Sequence, residues 1–511
     1  MRSMVRWSAV GALVAGSAWG QTPPTAEEPD ASARAPVGLP SALSPQPGGL
    51  TADRAAARAV RTSLAVRAAQ ANTEAASAGR TEAMVAMIPQ LSLTARYTRL
   101  SPITPPVLNL GGTSSASATP PLCVDTNGAV VLGSRSAGGA LMCPTGAGAI
   151  PTSAPTTSSP GFSFPVILDN ILLNATVTVP LSDIPFRLAR VYEAAGLTVQ
   201  ARRLDELSSR AQAAADARIA FYEFMRAQGQ LAVAQQALEA ARQHRIDLAH
   251  LVEAGTVARV DLLRVDAQVA ETERIVLSAR EGQSLAEAQL RQRMHAGEAE
   301  PIALGESLDG ELRVPGSARE LIERAISARP ELLSLDRQTR ALSANVAATR
   351  AGMYPSVSGS FSFDYSNPNQ RYVPQAEEFN ATWSAMIQAQ WSPTGAFAAS
   401  AASSRLSAQR AALVAQLAQL REGTEIEVRS VWISAQTANA SIESARRQVV
   451  SAEESYRVRR ERFLAGSAVS SDLTDAELDL LRARLALVNA NVDLRESLAR
   501  LRRAVGEREP E

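Results

Sequence analysis

Residues 461–506 read ERFLAGSAVSSDLTDAELDLLRARLALVNANVDLRESLARLRRAVG, and their spacing decides the fold. Leu473, Leu480, Leu487, Leu494 and Leu501 recur every seventh residue, with Ala476, Ala483, Ala490, Ser497 and Ala504 three places behind each. This is an a/d seam, and small residues at d allow neighbouring helices to approach closely. A strict seven-residue period also implies left-handed winding, because a relaxed helix repeats every ~3.6 residues. Upstream, Leu464-Ala465-Gly466-Ser467 breaks the pattern, as a tight reversal between two helices would. Residues 251–280, LVEAGTVARVDLLRVDAQVAETERIVLSAR, repeat the arrangement: Gly255 matches Gly466, Asp261 matches Asp472 and Leu262 matches Leu473. Here Leu262, Val269 and Val276 carry the heptad, beside Val265, Thr272 and Ala279. The chain is read as an internal duplication of a helical hairpin.

Composition narrows the class. In 511 residues aromatics make up only 4% and Ala is abundant, which suits thin helical layers better than a thick globular core. Basic and acidic residues balance at 51 each, so charge gives no case for nucleic acid or an anionic membrane surface. All 51 basic residues are Arg, which reads as base bias of the genome rather than chemistry.

Arg2 and Arg6 precede an apolar run, Ala9 to Ala15, and Ala18-Trp19-Gly20 places small residues at cleavage spacing. Residues 1–20 are therefore read as a secretory signal. The competing membrane anchor needs ~20 apolar residues, which this run lacks. No later segment is apolar enough for a membrane helix, so a second encounter with a membrane requires β-strands. Residues 21–51 form a flexible, Pro- and Gly-rich lead.

From Ala52 to Met87 the pattern is helical and stops before Pro89. The period then changes to two. Leu91, Leu93, Ala95 and Tyr97 alternate with Ser92, Thr94, Arg96 and Thr98. Leu173, Ala175, Val177 and Val179 alternate with Asn174, Thr176 and Thr178. In the second half Val357, Gly359, Phe361, Phe363 and Tyr365 do the same, as do Ala381, Trp383, Ala385, Ile387, Ala389 and Trp391. Four segments of roughly ten residues, apolar on one face and hydroxyl or amide on the other, fit a lipid-facing barrel with a wet interior. Tyr97, Tyr365, Trp383 and Trp391 are candidates for the membrane interfaces. A half-buried soluble sheet alternates in the same way. Four strands cannot close a barrel, and lipid does not tolerate open edges, so a barrel requires several copies of the chain.

Pro89 to Gly255 spans 166 positions and Pro355 to Gly466 only 111. The excess lies in an aperiodic Pro/Ser/Thr/Gly-rich insert at 101–165, read either as an outer-surface loop or as a tolerated insertion. It holds Cys123 and Cys143, the only cysteines, which in an exported protein predict a disulfide. The three histidines sit in helical segments and are expected on helix surfaces; no metal, cofactor or catalytic spacing appears. Long helices are expected over 186–254 and 397–465, return helices over 259–295 and 472–505. A crossover linker and short helix fill 301–329, between a first repeat at 52–300 and a second at 330–506; 507–511 are a tail.

In this order of elements the chain resembles the TolC family of outer-membrane efflux proteins. The resemblance rests on RPELLSLDRQTRALSANVAATRAGMYPSVSGSFSF at 329–363 and FLAGSAVSSDLTDAELDLLRARLALVNANVDL at 463–494, with IPQLSLTARY at 88–97 and the Gly255 block as first-half equivalents. It implies a homotrimer, mainly α: a twelve-stranded barrel in the outer membrane of a Gram-negative bacterium, four strands per protomer, continued by a twelve-helix periplasmic tunnel. It also implies an exit duct of tripartite pumps or type I secretion, docked to a periplasmic adaptor and an inner-membrane transporter. Asp472 and Asp475 fall where the family lines its constriction, although Ser470, Ser471 and Asp472 also suit helix capping. Asp261 occupies the matching place in the first hairpin. Phe463 and Ala468 depart from the family pattern, which has groups able to bond across the reversal there, so the closed-state lock is expected to be weaker or built differently, with Arg259 a candidate. The tips at Gly255, Thr256, Gly466 and Ser467 are the expected adaptor-docking points. The rival reading is a periplasmic or surface coiled-coil structural protein; an enzyme has no positive support.

Overall fold

The computed structural model describes residues 43–103, 122–135, 141–144, 148–149, 166–298, 300–308, 310 and 312–507. The expected signal, most of the lead and much of the insert lie outside these residues. Among those described, no helix is long and apolar enough to cross a membrane.

The chain is mainly helical. Helices α1 (Ala52–Thr62) and α2 (Leu64–Val85) lead into strand β1 (Gln90–Arg99). Strand β7 (Asp169–Val179) follows the insert, then α3 (Ala189–Glu253) and α4 (Arg259–Met294). The second round runs α5 (Ala318–Ala328), α6 (Pro330–Ala351), β8 (Ser356–Asn367), β9 (Asn380–Gln390), α7 (Pro393–Leu464) and α8 (Ser470–Val505). Two departures from the sequence reading stand out. The first expected helix is split at Ser63, with neither Gly nor Pro there; the Ser63 N–H bonds to the Ala59 carbonyl at 2.8 Å while its ψ of 127° turns the chain out of the helix. The insert is not wholly irregular either. It carries β2 (Leu122–Val124), β3 (Val130–Leu132), β4 (Ser134–Arg135), β5 (Leu141–Met142) and β6 (Gly148–Ala149), too short to show a period.

The chain forms two compact units, and neither coincides with a sequence repeat. One comprises the described residues within 1–63, 211–323 and 427–511. Its core joins Phe221, Phe224 and Met225 of α3 to Leu290 and Met294 of α4, Val492 of α8 and the linker residues Leu304 and Leu308. A second layer packs Ala438, Ile442, Ala445 and Val449 of α7 against Ala483, Leu487, Ala490 and Leu494 of α8. All five heptad leucines of α8 are buried. The alternation of Leu with Ala that the seam showed is thus used as small-against-large packing, each buried Leu contributing ~2 kcal/mol.

The other unit comprises the described residues within 64–210 and 324–426. It contains a four-stranded antiparallel sheet in the order β1-β7-β8-β9. The register sets Leu93, Ala175, Phe363 and Trp383 in one file across the sheet, and Thr94, Asn174, Asp364 and Thr382 in the next. The period of two therefore sorts the sheet into one apolar and one polar face. The β7–β8 pairing joins the two repeats.

Candidate functional site

The sheet exposes its apolar face. Leu93 is 75% accessible, Ile387 77% and Trp383 63%, without any layer to cover them among the described residues. The opposite face is a hydrogen-bonded ladder: Asn174 Nδ2 donates to Ser362 Oγ and Asp364 Oδ1, both at 2.7 Å, and Thr176 Oγ1 lies 2.8 Å from Ser362 Oγ. Among the described residues, strands β1 and β9 each pair on one side only. Burying the polar face against a soluble core would strand these groups; exposing Leu, Ile and Trp to water wastes their burial. The arrangement suits lipid on one side and water on the other. Tyr97 and Tyr365 lie towards the end of the sheet near Asp169, where the Tyr97 hydroxyl donates to Asp169 Oδ1 at 2.8 Å. Trp391 lies at the other end, its Nε1 donating to the Met353 carbonyl at 3.2 Å. Phe379 stacks on Tyr365 with ring centroids 5.1 Å apart, and Phe186, Tyr354 and Phe397 are further exposed aromatics. Sequence reasoning passed over these because none of the four lies inside a strand. In the insert, Cys123 and Cys143 are joined by a disulfide.

The two hairpin tips are built alike. After α3, Gly255 adopts φ +75°, and Thr256 bonds the Leu251 carbonyl through its N–H at 3.0 Å and its hydroxyl at 2.8 Å. After α7, Gly466 adopts φ +73°, and Ser467 bonds the Arg462 carbonyl at 2.9 Å and 3.1 Å in the same way. Only Gly takes that backbone without strain, which explains its place in both tips. Each return helix then starts on an apolar residue, Ala258 or Val469, whose side chain makes no capping bond. Ser470, Ser471 and Asp472 are therefore not the caps. Asp261 and Asp472 sit in the first turns, where the helix dipole favours a negative charge.

Asp472 and Asp475 are exposed, on the side of α8 away from buried Leu473, Thr474 and Ala476. Among the described residues no hydrogen bond or ion pair engages either carboxylate; Arg459 Nη1 instead donates to the Asp472 carbonyl at 2.9 Å. Asp261 lies 3.6 Å from Arg264. Arg259 is exposed and meets no acceptor among the described residues, so the structure does not bring it into a contact across the tip. The contact that does cross was not legible. His244 of α3 is buried, not on the helix surface as expected, and faces Ser470 and Glu477 of α8. Its partners lie 226 and 233 residues away along the chain, beyond any local pattern. His250 is exposed and His295 ends α4 with φ 49°, both as surface residues.

Among the described residues, exposed two-faced strands in a sheet with open edges stand next in sequence to long paired helices with acidic first turns, an arrangement that suits a sheet in contact with lipid continued by helical hairpins. Residues 321–507 match the family model described as "Outer membrane efflux protein". No curated protein matches the chain by sequence. Among solved structures, the outer-membrane channel OprN is 18% identical with a TM-score of 0.68, covering 89% of each chain. CmeC of Campylobacter jejuni is 13% identical at TM-score 0.67, covering 90% of this chain and 87% of its own. VceC of Vibrio cholerae is 17% identical at 0.66, covering 89% of this chain and 96% of its own. At these identities the likeness establishes the fold.

Proposed function

We propose that three copies of the chain close a twelve-stranded barrel and a twelve-helix periplasmic tunnel, and that this trimer is the exit duct of a tripartite pump or type I secretion system. The observation that carries the reading is the pair of open edges, β1 and β9, on a sheet whose exposed face is apolar. Each edge leaves the outward N–H and C=O groups of about five residues without partners, and each such group costs several kcal/mol in hydrocarbon. Joining β9 of one copy to β1 of the next removes that cost three times over. Exposed apolar residues on the outer helices, Leu263 and Leu277 of α4 and Ile426 and Ile433 of α7, supply matching seams for the same assembly. The barrel interior is then the hydroxyl and amide face around Asn174, Ser362 and Thr382.

In the trimer, Asp472 and Asp475 supply about six carboxylates to the narrow end, which favours cations. The paired tips at Gly255–Thr256 and Gly466–Ser467 dock a periplasmic adaptor, which links the duct to an inner-membrane transporter. The duct is passive, and selection of the cargo belongs to that transporter. Disulfide trapping tests the edge pairing: cysteines placed at Leu93 and Ile387 in a background without Cys123 and Cys143 should link chains into covalent trimers in isolated outer membranes. Monomers only, under oxidation that links a control pair inside the sheet, would refute it.

A further inference from the structure

Helices α3, α7 and α8 enclose a cavity of about 260 Å³. Its wall follows from helical spacing. Val233, Ala237 and Ala240 recur at i, i+4 and i+7 on α3, and Glu477, Leu480, Leu481 and Arg484 recur at i, i+3, i+4 and i+7 on α8, so each set shares one face. The two alanines give up the volume that longer side chains would fill. Val233 is 1% accessible, Leu481 7% and Leu480 9%, and these form the floor. Exposed Gln236 of α3 and partly exposed Glu453 of α7 and Arg484 of α8 form the rim.

The rim is bonded within itself: Arg484 Nη2 donates to Glu453 Oε1 at 2.8 Å and Nη1 to Gln236 Oε1 at 3.3 Å. Glu477 is different. Its side chain is 8% accessible, and His244 Nδ1, 3.3 Å from each of its carboxylate oxygens, bonds only Oε2. Oε1 is buried with no hydrogen-bond partner among the described residues. A buried acceptor left in that state is costly and calls for a donor. The hydroxyl of Tyr456, the other α7 residue of the wall, is also unbonded among the described residues. Burial, with the Glu477 carboxylate adding to it, pushes this phenol above its ordinary value, so it stays a neutral donor. Two carboxylates and one guanidinium line the cavity, which leaves the wall net negative. An anion is therefore excluded, and water or an alcohol leaves the charge uncompensated. The volume falls below the roughly 300–1,000 Å³ of drug-sized sites, which restricts the ligand to a small one.

We propose that this cavity is a binding site for a small organic ammonium ion, its head group donating to Glu477 Oε1 and its hydrocarbon body lying against Val233, Leu480 and Leu481. The site is complete within one chain, so the proposal does not rest on the trimer.

The test is isothermal titration calorimetry of the full-length protein in detergent, with phenethylammonium chloride as the probe. Binding should saturate with a Kd of about 1 mM or tighter. Phenethyl alcohol, with the same body and no charge, and phenylpropionate, with the opposite charge, should each bind about tenfold more weakly or not at all. E477Q keeps the shape and loses the charge, and should weaken binding about tenfold to a hundredfold. A237L fills the cavity and should abolish binding; where that variant fails to fold, E477Q carries the test. No saturable binding to wild type overturns the site, whether water or a neighbouring chain fills the space. Equal binding of the alcohol overturns the cationic ligand. Wild-type affinity in E477Q, or in a folded A237L, puts the probe elsewhere on the protein and overturns the site as well.

Discussion

Replacing Asp472 and Asp475 with Ala separates a pore-lining role from a structural one. Both side chains are exposed and unpaired among the described residues, and the helix start they adjoin is capped by neither. The structural cost of the double change is therefore limited to the dipole interaction of Asp472, about 0.3–1 kcal/mol, and the trimer should remain intact. The electrostatic effect is larger. A cation passing ~10 Å from each of six carboxylates gains about 0.4 kcal/mol per charge in water, or about 2.5 kcal/mol in all. Screening at 0.1 M salt, where the Debye length is ~10 Å, reduces this to about 0.9 kcal/mol, a cation preference of roughly fivefold. Reversal potentials across a salt gradient should show that preference in wild type, about half of its free energy in Asp472→Ala, and little in the double variant. Raising the salt tenfold should shrink the difference further. A double variant with wild-type selectivity at low salt and normal trimer yield would refute the ring.

Other expectations follow from the packing. A methyl group added at Gly305 would meet the Gly49 carbonyl, where the linker runs beside Leu50. Because backbone cannot swing aside, Gly305→Ala should lose folded protein in expression trials, whereas Gly423→Ala, with open space around it, should not. Glu496 is buried beside Arg226 and Glu223, and burial, with Glu223 adding, pushes its carboxyl up to about 7. The folded chain then keeps a proton that the unfolded chain has released, so this group's contribution to stability falls as pH rises from about 4.5 to 7. Glu496→Gln keeps an acceptor for Arg226 and should flatten thermal stability across that window; an unchanged pH profile would remove Glu496 as its source. Reducing the Cys123–Cys143 bond, or replacing both residues with Ser, should speed protease cleavage of the insert in intact cells while leaving conductance unaltered; equal cleavage rates would show the bond does not order the loop.

The helices and the four long strands were readable because each obeys a period set by its own backbone. Leu473 to Leu501 mark α8 at every seventh residue, and Leu91 to Tyr97 mark β1 at every second. The reversals were readable through Gly255 and Gly466, since positive φ leaves a chemical trace in sequence. The break at Ser63 left none: the helix ends there with ordinary residues on both sides. The strands inside the insert span two or three residues, too few for alternation. Ser470, Ser471 and Asp472 are good caps in isolation, and only the backbone shows that the helix begins one residue after Val469. His244 was missed because its meaning lies in α8, far along the chain, and a lone His in a helical pattern usually faces water. That Asp472 and Asp475 engage no partner among the described residues, while Asp261 lies near Arg264, is visible only in the structure.

The central claim is the pooling of strands by three copies. Extracting the protein from outer membranes in mild detergent and measuring its protein mass by light scattering tests that claim most directly. The account predicts three chains, each of 54.0 kDa less any removed leader, that fall apart only on heating. A single chain, recovered in buffer without detergent, would contradict it.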